Sequence, residues 1–329
     1  MLPCFVHTRS KQVVSDHLRV RVEAVARELG VVDLLQGELG DLFDQTFARP
    51  TSDAKYQSNR LLPGALPLEW SFSEADLDAL RFEFQPFEPT LAGEERLRRT
   101  VRALAPVVEG YHGRELADQF KSAVLSASAA ESKLNFGAFV GLVQRPRCGL
   151  EFKMYVECDP QDPALVSSEL SNIAGTVPHF VSVAVGASTI SQRIYYLCRD
   201  GLRAMDLEAV CAALGMSHRF PALLMTMLEL TEGHFHLPPN SVLLGIRRHG
   251  KESELKVELV YGTAMNPDGL IDRINRLLQP VSLAPFRSWG AMICPEKVAT
   301  LPVRVVSVKT SALQPPCLSI YAAEPWSES

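Results

Sequence analysis

The chain has 329 residues, 47% of them apolar and 22% charged, and a formal net charge of −5. That length suits one large domain or two ordinary ones, and the composition is that of a soluble globular protein. The acidic balance argues against a general nucleic-acid binder, whose phosphate contacts need a basic surface. The seven cysteines (Cys4, Cys148, Cys158, Cys198, Cys211, Cys294, Cys317) are scattered, odd in number and free of CxxC spacing. They read as reduced thiols of a cytoplasmic protein rather than a disulfide framework or a zinc site. Met1–Val20 lacks the apolar stretch of a signal peptide, and no apolar run approaches the ~20 residues of a membrane helix. A cytoplasmic protein with no membrane partner is expected.

Val13–Leu29 has amphipathic spacing through Val14, Leu18, Val22, Val25 and Leu29 and stops at Gly30, which predicts a helix. A second helix is expected over Val31–Phe47 and a loop over Thr51–Pro63. Leu66–Ser73 and Leu80–Gln85 alternate apolar and polar residues as strands do. Helices follow over Glu94–Glu109 and Glu115–Ser126, then strands over Phe136–Gln144 and Leu150–Glu157. Ala164–Ala174 reads as helical, ahead of a strand pair at His179–Val185 and Gln192–Cys198. Helices over Asp206–Leu214 and Ala222–Leu230 precede strands at Val242–Arg248 and Glu254–Val260, and Pro267–Leu278 is a helix. The tail offers three strand candidates, near Ala291, at Val303–Val308 and at Leu318–Ala322.

Two antiparallel strands, then one or two helices, recur several times with no residue-level repeat. A parallel sheet would need a helix between every two strands, so an α+β antiparallel arrangement is implied. If helices cover the apolar strand faces, the polar faces look at water or at one another. About ten strands in one twisted sheet curl, and closure removes both edges. The expected fold is a closed antiparallel β-barrel of about ten strands, ringed by helices in αββα units, with a polar lumen. The whole chain, 1–329, is read as one domain, with residues 1–63 as a helical segment packed on the barrel.

The polar strand faces carry the functional signal. In a strand, residues i and i+2 share a face, so Lys153 and Tyr155 sit side by side, as do Arg193 and Tyr195. Arg81 with Glu83, Lys256 with Glu258, and Ser319 with Tyr321 are partial echoes. Taken singly, each cation reads as a surface residue and each tyrosine as a half-buried strand residue. Taken together, Arg81, Lys153, Arg193 and Lys256 would crowd one lumen, where uncompensated cations call for an anionic ligand; a diphosphate could engage all four. Tyr155, Tyr195 and Tyr321 would then offer π faces to a carbocation. Glu69, facing the same lumen, is either an ordinary strand carboxylate or a hydrogen-bond acceptor and general base. His234 and His236 share a strand-like face but have no third metal ligand near in sequence. Asp41 and Asp44 lie one helical turn apart without a companion motif and read as a solvated helix face.

At these residues the chain resembles the aromatic prenyltransferases of the dimethylallyltryptophan-synthase type, the ABBA or PT-barrel family. The resemblance rests on Leu66-Pro67-Leu68-Glu69-Trp70-Ser71-Phe72, Leu80-Arg81-Phe82-Glu83-Phe84-Gln85-Pro86 and Glu151-Phe152-Lys153-Met154-Tyr155-Val156. Arg193-Ile194-Tyr195, Leu255-Lys256-Val257-Glu258 and Ser319-Ile320-Tyr321 are weaker echoes, so the set spans Leu66 to Tyr321. It implies a ten-stranded barrel that transfers a dimethylallyl or longer prenyl group from its diphosphate to an electron-rich acceptor, often an indole. It also implies that no metal or other cofactor is required. By matching position, Arg81, Lys153, Arg193 and Lys256 would bind the diphosphate, Tyr155, Tyr195 and Tyr321 would shield the cation, and Glu69 would hold or deprotonate the acceptor. Two positions depart: Ser191 stands where many relatives place another basic residue, and Glu258 where an aromatic often stands. They bear on donor length and acceptor identity rather than on reaction class. The alternatives are prenylation of a phenol, guanidine or peptide side chain, or a non-catalytic isoprenoid-binding barrel. The expected partners are the two small-molecule substrates, with no nucleic acid, and the expected assembly is a monomer or homodimer.

Overall fold

The computed structural model describes residues 14–31, 34–48, 56–63, 65–128, 134–146, 149–162, 164–167, 170, 173, 175–250, 252–262, 265–294 and 301–324. Ten strands close into an antiparallel barrel. They are β1 (Leu68–Ser73), β2 (Leu80–Phe84), β3 (Ala138–Arg145), β4 (Gly149–Glu157), β5 (Thr176–Val185), β6 (Ile190–Cys198), β9 (Val242–His249), β10 (Glu252–Val260), β11 (Val303–Ser311) and β12 (Cys317–Ala323). Two short strands, β7 (Leu202–Arg203) and β8 (His236–Leu237), pair outside it. Around the barrel the order is β1-β12-β11-β10-β9-β6-β5-β4-β3-β2, so β1 and β12, far apart in sequence, close the ring.

The helices are α1 (Val14–Glu28), α2 (Gly37–Thr46), α3 (Gly93–His112), α4 (Arg114–Ala127), α5 (Ala204–Ala213), α6 (Phe220–Leu230), α7 (Leu270–Leu277) and α8 (Pro280–Ile293). β1-β2, β3-β4, β5-β6, β9-β10 and β11-β12 are sequence-adjacent hairpins. In an antiparallel ring these five turns must all fall at one end, and the helical connections depart from the other.

Alternation decides which face is dry. Trp70, Phe82, Phe84, Phe152, Leu244, Val257 and Ile320 point outward and are fully buried under helices. Aromatic contacts fasten the two layers: Phe72 lies 5.4 Å from Phe286 and 5.8 Å from Trp289 of α8, and Phe84 lies 5.9 Å from Phe43 of α2. The hydrophobic core is therefore the layer between barrel and helices. The inner face is left free for polar side chains.

One buried guanidinium fixes how α3 enters. Arg96 donates to the carbonyls of Pro86 (3.1 Å), Phe136 (2.8 Å) and Glu88 (2.8 Å), tying the exit of β2 to the entry of β3. Burial lowers its pKa to about 10, which leaves it charged at neutral pH. Gly137 is required here: its φ is +75°, and a Cβ would collide with the Gly93 carbonyl.

The expected barrel stands, with several local corrections. The stretch near Ala291 is not a strand. Phe286, Trp289, Gly290 and Ile293 are buried at helical spacing within α8, a period disguised by Pro285 and opened by Pro280 at its first turn. In the helix expected over Ala164–Ala174, Ala164 and Leu165 form a turn and Val166 and Ser167 are irregular; residues 168–169, 171–172 and 174 lie outside the described residues. The second helix starts at Gly37, after a turn at Leu34–Leu35, rather than at Val31. Of the loop expected over Thr51–Pro63, Tyr56–Ser58 form a single 3-10 turn, and Thr51–Lys55 lie outside the described residues. Cys158, Cys198, Cys211, Cys294 and Cys317 are free thiols, while Cys4 and Cys148 lie outside the described residues. Among the described residues, no helix is long and apolar enough to cross a membrane.

Candidate active site

Strand register carries the polar faces into one lumen. Glu69 of β1 stands opposite Glu83 of β2, Glu83 opposite Gly141 of β3, and Gly141 opposite Lys153 of β4. Tyr155 continues through Ser182 of β5 to Arg193 of β6. Tyr195 pairs with Gly245 of β9, Gly245 with Lys256 of β10, and Lys256 with Lys309 of β11. Ser71 pairs with Tyr321 of β12, which completes the circuit. All eight residues singled out from the sequence thus lie on inward faces of one barrel.

The aromatic side chains form a connected wall. Phe180 stacks on Tyr195 with centroids 4.4 Å apart and meets Tyr155 edge-on at 5.8 Å. Tyr155 and Tyr195 are 6.4 Å apart. Lys256 lies over the rings of Tyr321 (4.9 Å) and Tyr195 (5.6 Å), and Arg193 lies 6.0 Å from the Tyr195 centroid. Cations and π faces are thereby interleaved, as the strand spacing implied.

The cations are not uncompensated, and here the sequence expectation is corrected. Lys256 Nζ is 2.5 Å from Glu258 Oε1, and donates to the Tyr321 hydroxyl at 2.8 Å. Lys153 Nζ is 3.2 Å from Glu151 Oε1, and Arg81 pairs with Asp76 at 2.7 Å. Arg193 pairs with Glu254. Alternation explains the nearest of these partners: the period that turns Lys153 inward also turns Glu151 inward, and Lys256 brings Glu258 in the same way.

Burial and charge set the proton affinities. Burial raises the Glu69 carboxyl well above its ordinary range, and the negative charges of Glu83 and Glu258 add to the rise. Burial raises Glu83 as well, although the hydrogen bond it accepts from the Tyr155 hydroxyl opposes the shift. Lys153 is brought down to about 8 by burial, with Glu151 acting against the shift and the positive charge of Arg81 reinforcing it. For Lys256, burial alone would lower the pKa, but Glu258 holds it well above the usual lysine range. The lumen therefore contains a firmly charged lysine, a lysine near its titration point and two carboxyls of enhanced basicity.

Sequence reading missed Phe180, Arg247 and Lys309. Phe180 has only Ser182 and Ala184 beside it on its face, with no cation to mark it. Arg247 shares the inward phase of Gly245, and that alternation was present to be read. Lys309 fell beyond the expected strand end at Val308, whereas β11 runs on to Ser311. Glu157, also on the inward face, anchors the backbone: it accepts hydrogen bonds from the N–H groups of Phe136 (2.7 Å) and Gly137 (2.9 Å).

Other candidates fall elsewhere. His234 and His236 are exposed and border a cavity of about 270 Å³ outside the lumen, beside Glu232, Tyr261 and Arg273. Asp44 pairs with Arg19 at 2.7 Å on the helical surface. Among the described residues, no group of three or more His, Cys, Asp or Glu is placed to hold a metal ion.

No protein-family model and no curated protein matches the chain. Solved structures do match it over almost their full length. A 6-dimethylallyltryptophan synthase from Micromonospora olivasterospora, in complex with DMASPP and Trp, superposes with a TM-score of 0.71 at 16% identity, covering 95% of this chain and 98% of that one. The fold is the prenyltransferase barrel. A 5-dimethylallyltryptophan synthase from Streptomyces coelicolor, also with DMASPP and Trp, gives 0.72 at 14% identity, covering 97% of this chain and 99% of the other. The prenyltransferase PriB, in a ternary complex with L-tryptophan and dimethylallyl thiolodiphosphate, gives 0.72 at 13% identity, covering 95% and 96%. Within the prenyltransferase barrel of this chain, the interleaved cations and aromatic rings occupy the inner wall.

Proposed function

We propose that the protein is a metal-independent aromatic prenyltransferase. It would move a dimethylallyl or longer prenyl group from its diphosphate to an electron-rich acceptor, an indole or tryptophan-derived small molecule. The observation that carries this reading is the single inner wall on which Lys153–Tyr155 and Arg193–Tyr195 alternate, with Phe180 stacked on Tyr195 and Lys256 lying over two tyrosine rings. The solved relatives in fold that hold a thiolodiphosphate analogue and tryptophan support the substrate classes.

In this reading Arg81, Lys153, Arg193 and Lys256 bind the diphosphate. As the allylic C–O bond breaks, its electron pair leaves with the diphosphate oxygen, and the fixed cations stabilise the growing negative charge. The allyl cation left behind faces Tyr155, Tyr195, Tyr321 and Phe180, whose rings stabilise positive charge and exclude the water that would quench it. An acceptor ring carbon held nearby attacks, forming the new C–C bond. The proton lost on re-aromatisation passes to Glu69, whose raised pKa makes it a better base than an exposed carboxylate.

The test is incubation with dimethylallyl and geranyl diphosphates in excess EDTA against tryptophan, cyclic dipeptides, phenols and peptides, read by mass spectrometry. A product heavier by one prenyl group supports the reading, and the acceptor that gives it names the substrate. Turnover lost in EDTA and restored by Mg²⁺ would overturn the metal-free mechanism. Tight donor binding with no turnover on any acceptor would favour a non-catalytic isoprenoid-binding barrel.

A further inference from the structure

Glu254 stands at the centre of a cluster that the four sequence-derived cations do not explain. It lies on β10, opposite Arg247 of β9 and Ser311 of β11. Its Oε1 accepts from Arg193, its Oε2 accepts from Arg247 at 2.9 Å, and Lys309 Nζ is 3.8 Å from Oε2. Three cations from β6, β9 and β11 thus converge on one carboxylate whose side chain is 10% exposed. Within the cluster three positive charges face one carboxylate, with Glu151 and Glu258 acting on Arg247 and Arg193 from outside it. Arg193 Nε is also buried without a hydrogen-bond partner. The crowding is felt by its members: Lys309 is lowered by burial, with the positive charges of Arg193 and Arg247 adding to the fall.

Such a cluster has both the charge and the spare donors to take a polyanion, and the carboxylate stands on the donors such an anion would use. We propose that Glu254 is an internal counterion. It holds Arg193 and Arg247 by hydrogen bonds and Lys309 by charge in the free enzyme, and yields those cations to the diphosphate of the substrate. The inference rests on the prenyltransferase reading of the lumen and adds Arg247 and Lys309 to the diphosphate subsite. It also gives Glu254 a part in the release of inorganic diphosphate, because its return to the cluster competes with the leaving product. Glu254 is a positioning residue in this scheme and touches no reacting carbon.

Glu254→Gln keeps the size and an acceptor oxygen but removes the competing charge. Titration calorimetry of inorganic pyrophosphate into the intact chain is expected to show binding to the variant about tenfold or more tighter than to wild type, the factor given by one charge-assisted contact. Pyrophosphate should also raise the melting temperature of the variant more than that of wild type, although the ligand-free variant starts lower. A merely structural role would lower the melting temperature without tightening binding. Glu254→Asp, which keeps the charge but shortens the side chain, should bind with intermediate affinity, and it carries the test if the glutamine variant does not fold. Wild-type or weaker pyrophosphate affinity in the folded variants overturns the counterion role and leaves the prenyltransferase reading intact. Absence of pyrophosphate binding to wild type and both variants sinks the diphosphate site itself.

Discussion

Lys256 meets Tyr321 in two ways at once: its Nζ lies 2.8 Å from the phenol oxygen and 4.9 Å from the ring centroid. The ring is thus already held against a positive charge in the free protein. In the proposed reaction that ring, already fixed in place, would face the allyl cation with no reorganisation at the moment of ionisation.

Tyr321→Phe keeps that face and loses only the hydroxyl that accepts from Lys256, so turnover should stay closer to wild type than in Tyr321→Ala. Tyr321→Ala removes the face. A cation–π contact of ~0.5–2 kcal/mol corresponds to a loss of roughly two- to thirtyfold in rate. More of the donor should then appear as prenyl alcohol, because water reaches the cation. Product and alcohol quantified together check this; equal partitioning in the alanine variant would remove Tyr321 from the shield.

Lys153 should make donor binding pH-dependent. Its pKa is lowered to about 8, so the ammonium is present below that pH and is lost as the pH rises through it. Pyrophosphate affinity is expected to weaken on the alkaline side of that pKa as the ammonium is lost. The full loss corresponds to one charge-assisted contact, ~1.5–3 kcal/mol. Lys153→Arg, which stays charged throughout, should flatten the profile, and calorimetry on the acid and alkaline sides of that pKa distinguishes the two. Parallel pH profiles in both proteins would place the titrating group elsewhere.

Alternation made the barrel legible, because each hairpin shows a dry face and a polar face in period two. The two tyrosines next to cations were legible for the same reason: Lys153 and Tyr155 differ by two. What remained hidden lay across strands. No local pattern reports that Glu254 of β10 meets Arg193 of β6, since that pairing depends on the order of strands in the closed ring. The strand wrongly expected near Ala291 shows the converse limit. A short apolar run fits a strand or a buried helix equally well, and only the length of α8 settles it.

Glu324 ties the end of β12 to β1 and α1. Its carboxylate accepts from the Trp70 indole N–H and lies 3.2 Å from Arg21, and burial raises its pKa to about 7. A folded pKa above the unfolded one means that stability is fully present below the unfolded value, near 4.5, and is lost as the pH climbs through about 7. The loss attributable to this group is ~3 kcal/mol. Glu324→Gln titrates in neither state, so melting temperatures followed from acid to mildly alkaline pH should fall less steeply for the variant than for wild type. Parallel curves would show that Glu324 is not the group responsible.

In the proposed reaction Glu69 would take the proton and Glu83 would tune it. They are cross-strand partners, both raised by burial, and the negative charge of Glu83 lifts Glu69 further. Glu69→Gln keeps the shape but cannot take a proton, and loss of a general base costs ~10²–10⁴ in rate. Donor affinity should stay near wild type, because the diphosphate is assigned to the cations. Glu83→Gln should act differently. Its amide oxygen still accepts from the Tyr155 hydroxyl, so the wall keeps its shape, but one of the charges that add to the rise of Glu69 is gone. Glu69 then ionises at lower pH, and the acid limb of the kcat/KM profile should shift to lower pH with the plateau rate reduced, since a weaker base takes the proton less readily. If Glu69 were only a structural partner within the barrel, its glutamine variant would lose melting temperature and donor affinity while turnover at saturation survived. If Glu83 did not act through Glu69, its variant would leave the acid limb in place. Rate profiles and pyrophosphate titrations on the two single variants therefore assign both carboxyls.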